Sequence, residues 1–270
     1  MNGKWDARIR RAGELAQAHP FASEGLRFYQ RLAQFQKFLY GSFETDCGQA
    51  TRPCAPGALR DEFDPFVLLP RFPSLLGLVE ASAPSILAQS ARALQNEGAK
   101  RWQAMLEKFW WDGNESAAGA AGAETVISWI FLQPYAEYLA DHIERPAPSG
   151  TPSVCPLCGG KPQVAAFRPE GDGAKRSLIC ALCSTEWDYR RIVCPSCGEE
   201  DVHKLAVYSA AEFKHVRVDA CDSCRSYLKT VDLTKNGLAV PVVDELAMIP
   251  LDLWAAEHGY AKLQTNLLGI

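Results

Sequence analysis

The chain has 270 residues, 47% of them hydrophobic, with 28 Lys and Arg against 32 Asp and Glu and a formal net charge of −4. That length buries one sizeable core with a small second unit beside it. The mildly acidic balance argues against nucleic acid or an anionic membrane surface as the main target, and the best apolar run, residues 126–132, is far too short to span a bilayer.

In chain order, residues 5–18 carry Ile9, Ala12, Leu15 and Ala16 at helical spacing. Residues 22–44 repeat the pattern with Leu26, Tyr29, Leu32, Ala33, Gln36, Leu39, Tyr40 and Phe43, and Ser23 is the expected cap. A Gly- and Pro-rich loop follows, from Cys47 to about Pro56. Residues 63–79 are apolar but interrupted by Pro65, Pro70 and Pro73, so any helix there is short. Residues 83–109 predict one long helix, residues 113–122 a small-residue turn, and residues 123–143 a last helix with a bulky face. Residues 146–152, Pro-Ala-Pro-Ser-Gly-Thr-Pro, form a linker. Strand signals then begin, as in residues 204–208, 216–218 and 227–231, and the tail from Pro241 predicts a closing helix.

Eight of the ten cysteines fall in the strand-rich part as four Cys-x-x-Cys pairs: Cys155/Cys158, Cys180/Cys183, Cys194/Cys197 and Cys221/Cys224. Two intervening residues let one tight turn present both sulfurs to an ion, and a second pair completes a tetrahedron. The gaps between pairs, 21 residues after Cys158 and 23 after Cys197, suit a zinc-ribbon or rubredoxin-like unit. The first knuckles of each unit, Cys155-Pro156-Leu157-Cys158-Gly159 and Cys194-Pro195-Ser196-Cys197-Gly198, read alike. The offsets between units, 39 and 41 residues, indicate a tandem duplication. The repeat favours sequential pairing over a cross-braced arrangement. The Gly after the second Cys allows a positive φ, and the second knuckles lack it.

A disulfide scaffold fits badly, because residues 1–8 show no apolar leader; the expected compartment is the cytoplasm. A four-thiolate site without an open position usually holds a fold together, and chemistry there would be one-electron transfer through iron. Metal binding is expected to supply much of the folding energy of these small modules. His203 and His215 read as surface residues of the second unit, and Cys47 and Cys54 as free thiols. The connection Glu186-Trp187-Asp188-Tyr189-Arg190-Arg191 combines Trp, Tyr and Arg, the side chains that dominate binding hot spots, so Trp187, Tyr189, Arg190 and Arg191 are candidate partner contacts. Trp187 and Tyr189 also fit the inward face of a strand, and the two readings are not exclusive.

The expected fold is therefore α+β: a helical domain over residues 1–150, four-cysteine ribbons over 151–190 and 191–235, and a C-terminal segment over 236–270 that packs back on the body. Taken with the segment Phe131-Leu132-Gln133-Pro134-Tyr135-Ala136-Glu137, the Glu186-Trp187 after the second knuckle and the closing Glu257-His258-Gly259-Tyr260, the chain resembles the formate dehydrogenase accessory protein family (FdhE type). The resemblance implies a cytoplasmic maturation factor, not itself an enzyme. It would bind the catalytic subunit of a molybdenum- or tungsten-containing respiratory formate dehydrogenase and hold iron or zinc in two rubredoxin-like sites. An iron electron carrier of rubredoxin type is the alternative. A nucleic-acid-binding zinc ribbon is disfavoured, because two thiolate sites make the ribbons net acidic. Self-association stays open.

Overall fold

The computed structural model describes residues 3–47, 52–53, 58–112, 122–144 and 150–269. The expected turn over residues 113–121, most of the Cys47–Pro56 loop with Cys54, and Pro146 to Ser149 of the linker lie outside them. The helical half contains α1 (Gly3–Ala18), α2 (Ser23–Asp46), α3 (Pro65–Leu68), α4 (Phe72–Ser82), α5 (Ser85–Gln95), α6 (Ala99–Asp112) and α7 (Ala123–Asp141). A short parallel pair, β1 (Arg52–Pro53) and β2 (Ile143–Glu144), ties the loop after α2 to the end of α7.

Local chemistry explains these boundaries. Asp64 caps α3 by accepting from the backbone N–H groups of Phe66 and Val67, with Pro65 in the first helical position. Ser23 is not a cap: α2 continues directly from a single 3-10 turn over Pro20–Ala22. The single helix expected over residues 83–109 is two. Asn96 ends α5, its side-chain amide donating to the Arg92 carbonyl, and the Gly98 carbonyl accepts from Arg101 and Trp102 to start α6. An Asn-Glu-Gly step lacks the side-chain packing that would hold a helix straight through it.

Helix α7 is the centre of the helical half and is enclosed on all sides, with residues from Val126 to Tyr138 buried, the polar Ser128, Gln133 and Glu137 among them. Pro134 lies inside it. A proline has no N–H to give to the carbonyl four residues back. That carbonyl, on Ile130, accepts instead from Gln36 Nε2 of α2 at 2.8 Å. The buried Gln36 thus answers a backbone group that the proline releases.

The C-terminal half is one sheet. Its strands are β3 (Pro162–Glu170), β4 (Gly173–Cys180), β5 (Glu186–Asp188), β6 (Leu205–Ser209), β7 (Val216–Cys221) and β8 (Ser226–Asp232), in the spatial order β5-β4-β3-β8-β7-β6; β9 (Ala261–Lys262) pairs with the start of β8. Two antiparallel three-strand sets, β3-β4-β5 and β6-β7-β8, lie side by side. They join where β3 meets β8 in parallel, with Ala165, Ala166 and Phe167 opposite Thr230, Val231 and Asp232. The duplication read in the cysteines is therefore a head-to-tail repeat of strands within one sheet.

The closing helix expected from Pro241 is also two, α8 (Pro241–Ala247) and α9 (Ile249–Glu257), meeting at Met248. They cover one face of the second strand set. Beneath them Lys229 is fully buried, with Nζ 2.5 Å from Asp252 and 3.1 Å from Glu245, while Lys262 pairs with the same two acids. Two ammoniums and two carboxylates balance, as buried charge requires. A continuous core runs from Trp5 of α1 to Leu267 and includes Val164, Leu178, Val218 and Val243, so helices and sheet share it.

Candidate metal centres

The four Cys-x-x-Cys turns are built alike. In the first, the Gly159 N–H donates to the Cys155 carbonyl and the Cys155 N–H to the Gly160 carbonyl; in the third, the Gly198 N–H donates to Cys194 and the Cys194 N–H to Glu199. Gly159 and Gly198 take φ of 70° and 78°. The second and fourth turns adopt the same left-handed conformation without glycine, at Ser184 (φ 52°) and Arg225 (φ 57°). A side chain there costs about 1–2 kcal/mol. Both side chains make contacts in return. Ser184 Oγ donates to Glu137 and accepts from Arg8, and Arg225 donates to the His258 carbonyl, its guanidinium over the Tyr260 ring.

The turns converge in sequential pairs. Cys155, Cys158, Cys180 and Cys183 bring their sulfurs within 4.8 Å of one another, and so do Cys194, Cys197, Cys221 and Cys224. In the first cluster the hydrogen-bonded sulfurs are 3.4–3.6 Å apart, and in the second 3.7 Å. A tetrahedral ion with bonds of about 2.3 Å needs sulfurs about 3.8 Å apart. The donor set fits a zinc or iron ion in both places. Backbone N–H groups of Gly160, Leu182 and Ser196 point at Cys158, Cys180 and Cys194 sulfur. Bound metal would hold four thiolates at each site, close the two halves of each module together, and leave no position for a substrate.

The protonation pattern of the thiols points the same way. Burial pushes Cys180 and Cys183 well up, while Cys155 is driven down, first by the hydrogen bond from Cys158. Burial of neighbouring thiols disfavours ionising all of them together, and a bound cation would offset that cost. In the second cluster burial pushes Cys194 up to about 12; at Cys224 burial is outweighed by hydrogen bonds from Ser226, which bring it to about 6.

The helical half grips the first cluster. Arg60 Nε donates to the Cys158 carbonyl, and the Leu59 N–H to Leu157. Trp129 Nε1 and Gln133 Nε2 both donate to the Ala181 carbonyl inside the second turn. Arg8 reaches Glu137 at 2.7 Å and Ser184 at 3.1 Å. The segment Gln133-Pro134-Tyr135-Ala136-Glu137 is thus the buried dock of the first module. Arg8, Arg60 and Trp129 were not singled out in the sequence, and polar residues on an otherwise apolar helix face were the available signal.

Other expectations need correction. Trp187 and Tyr189 are buried, Trp187 Nε1 donating to the Pro152 carbonyl and the Tyr189 hydroxyl to Cys194, so neither offers a broad surface to a partner. Their alternation with exposed Asp188 and Arg190 places them on the inward face. Arg190 and Arg191 are exposed; Arg190 pairs with Glu200, and Arg191 lies over the Phe167 ring at 4.9 Å. Residues 186–191 do not simply bridge two ribbons. They begin at the outer edge of the sheet in β5 and return across its face, where buried Arg176 holds the carbonyls of Arg190 and Val193. His203 is exposed as expected, whereas His215 is half-buried and bonds Asp244 of α8 at 2.8 Å, which Arg11 of α1 also pairs. Cys47 is half-buried at the end of α2.

Helices, sheet and clusters together define a class of protein: a helical body with a tandem pair of four-thiolate modules fused into one sheet. Among known families, the FdhE central domain matches residues 154–191 and the FdhE C-terminal domain residues 192–268. A protein FdhE homolog of Aquifex aeolicus is 30% identical over 213 residues, covering 77% of this chain and 71% of that protein. One from Pseudomonas aeruginosa is 39% identical over 123 residues, covering 43% of this chain and 39% of that protein. The crystal structure of the FdhE protein from Pseudomonas aeruginosa superposes with a TM-score of 0.74 at 25% identity, over 99% of this chain and 96% of that one. The chain belongs to the FdhE family. Among its described residues no helix is long and apolar enough to cross a membrane.

Proposed function

We propose that the protein is a cytoplasmic maturation factor for formate dehydrogenase, binding the catalytic subunit of a molybdenum- or tungsten-containing enzyme before that subunit is complete. The observation that supports it is family membership, with a similarity in fold that extends over nearly the whole chain. The chemistry of the sites agrees. Eight cysteines in two sets of four suit iron or zinc in a structural task, each shell being filled by protein thiolates with no position left for formate at either set. The protein assists an enzyme and does not oxidise formate. Arg190 and Arg191 supply cationic contact points on the sheet face, and a metal-stapled surface loses little freedom on binding.

The test is a strain lacking this gene, assayed for formate dehydrogenase activity and for co-purification of the catalytic subunit with the tagged protein. Loss of activity restored by the gene, with the subunit recovered in the complex, is the expected result. Full activity in the deletion strain overturns the proposal. One observation favours the electron-carrier reading as second: Cys197 is exposed, which brings one sulfur of the second cluster to the surface. A colourless, zinc-loaded protein removes that reading; a red one that bleaches reversibly on reduction raises it.

A further inference from the structure

The two ends of the sheet are finished differently. At one end β5 has three residues and is fenced by charge: Glu186 pairs with Arg168, and Asp188 with Lys175. Short, charged edges repel further strands. At the other end β6 reads Leu-Ala-Val-Tyr-Ser, without charge or proline, and its only strand partner among the described residues is β7. The Asp222 N–H donates to the Lys204 carbonyl, so the alternation of the ladder turns the backbone groups of Leu205, Val207 and Ser209 away from β7.

The internal repeat shows what such an edge accepts. Registers against β4 and β7 equate Ala165 with Val207, Ala166 with Tyr208 and Phe167 with Ser209, because Leu178 and Asp219 stand two residues before Cys180 and Cys221. In the first module those three positions carry the parallel pairing with β8. In the second module the same edge has no strand on it among the described residues.

Beside this edge a cavity of about 340 Å³ opens on the sheet face, within the range of ligand-binding clefts. Leu205, Val207 and Leu228 are part of its apolar lining, and Ile192, Val202 and Val207, also in the lining, are more than half exposed. Its charged lining residues are three guanidiniums, Arg176, Arg191 and Arg217, against one carboxylate, Asp219. Asp219 is already shared by Arg176 and Arg217. Arg191 has no carboxylate partner among the described residues. Cys194 and Cys221 also line the cavity, and a filled thiolate site offsets part of this positive charge without hydrogen-bonding Arg191 as a carboxylate would.

We propose that the free edge of β6 is a strand-addition site for an extended segment of the client. The segment runs parallel to β6 and pairs with Val207 to Ser209. It places an apolar side chain in the cavity and an acidic side chain on Arg191. Main-chain pairing supplies affinity in such sites, and the pocket beside the edge supplies selectivity. The inference rests on the maturation-factor reading, which supplies the client.

The test places a photo-crosslinking amino acid at Val207 and, as a control, at Phe38 on the exposed face of α2, in protein co-expressed with the formate dehydrogenase catalytic subunit. Crosslinks from Val207 to one segment of that subunit, and none from Phe38, are expected. Arg191→Glu should weaken the complex at least about tenfold with unchanged metal content. Val207→Pro, which removes an outward N–H, should do the same; if it fails to fold, the crosslink and Arg191→Glu still decide. Crosslinks from Phe38 but not Val207, or full affinity in Arg191→Glu, overturn the edge site and leave the maturation role standing. Crosslinks from Val207 to a second copy of this chain replace the client by self-association. Absence of any complex with the catalytic subunit overturns both proposals.

Discussion

The two four-cysteine modules share strand order, turn geometry and ligand type, yet they live in different surroundings. In the first, all four cysteines are buried and six hydrogen bonds with the helical half hold the turns. In the second, Cys197 is exposed and Cys224 half-buried, and the contacts come from the tail: Arg225 to the His258 carbonyl, the Ala261 N–H to Arg225, and Tyr260 to Asp222. A duplicated motif has one copy sealed into the protein and one turned to solvent. Identical ligands therefore do not imply identical metal sites, because burial decides how easily a thiolate is reached and how much structure depends on it.

The largest expected effect comes from removing a ligand on each side of this comparison. Cys158→Ser should abolish one metal equivalent and lower the stability of the whole chain by several kcal/mol, since structural zinc contributes on the order of 10 kcal/mol to a small domain. Cys197→Ser should abolish the other equivalent with clearly less loss, and a chelator should strip the second site of the intact protein first. Native mass spectrometry and urea unfolding read both; equal losses and a single release phase would break the comparison.

Each module also rests on a buried ionic cluster. Lys229→Ala leaves Glu245 and Asp252 to share Lys262 alone, and Arg8→Ala leaves Glu137 with Lys4 and the Ser184 hydroxyl. Each should therefore destabilise the chain in denaturant unfolding by less than the ~3–5 kcal/mol of a wholly unpaired buried charge. Burial opposes the charge on Glu245, but the Lys229 and Lys262 ammoniums outweigh it and hold its carboxyl at about 2, against an ordinary 4.5. A depressed carboxylate stabilises the fold at pH above its unfolded value and loses that contribution as pH falls through its folded one. Stability should thus fall between pH 4.5 and 2, by up to about 3 kcal/mol from this group, and Glu245→Gln should flatten that limb of the profile. An unchanged acid limb in the variant would count against the assignment.

A smaller effect separates the modules at Gly160, whose counterpart in the second is Glu199. A Cβ on Gly160 would stand 3.2 Å from both Cys158 and Cys180 sulfur. Gly160→Ala should cost about 1–3 kcal/mol through crowding and weaken metal at the first site alone. The smallest effect concerns the left-handed residues. Ser184→Gly relieves the backbone but gives up the bond to Glu137, for a net loss of about 1 kcal/mol, whereas Arg225→Gly, at an exposed position, should lie within about 1 kcal/mol of neutral. Thermal unfolding distinguishes the two.

Much of this was legible in the residues. Cys-x-x-Cys spacing is a local constraint, so the sequential clusters followed from the gaps and the 39- and 41-residue offsets. The change from helical to strand periodicity after the Pro-rich linker is equally local. The union of β3 with β8 was not legible, because a parallel pairing between residues more than sixty apart leaves no mark in either strand. Lys229 sits in Tyr-Leu-Lys-Thr-Val, where alternation cannot reveal that its inward position is matched by acids from two later helices. The difference in exposure between clusters was hidden for the same reason: the first is buried by Arg60, Trp129 and Gln133, distant in sequence. Glu199 and Gly160 each stand two residues after a ligand, and their contrast lies in the space beside the sulfurs, which sequence spacing does not record.

The proline in α7 has a consequence beyond its own helix. Gln36 donates to the Ile130 carbonyl and to Gln133 Oε1, and Gln133 donates in turn to Ala181 between two cysteines of the first cluster. Two side-chain amides thereby form a relay from α2 to the metal shell. If metal draws the Cys180–Cys183 turn tighter, these bonds carry the change toward α2, and by reciprocity firmer packing of α2 would favour loading. The contact between α2 and α7 is thus the part of the helical half through which a filled first site would be felt.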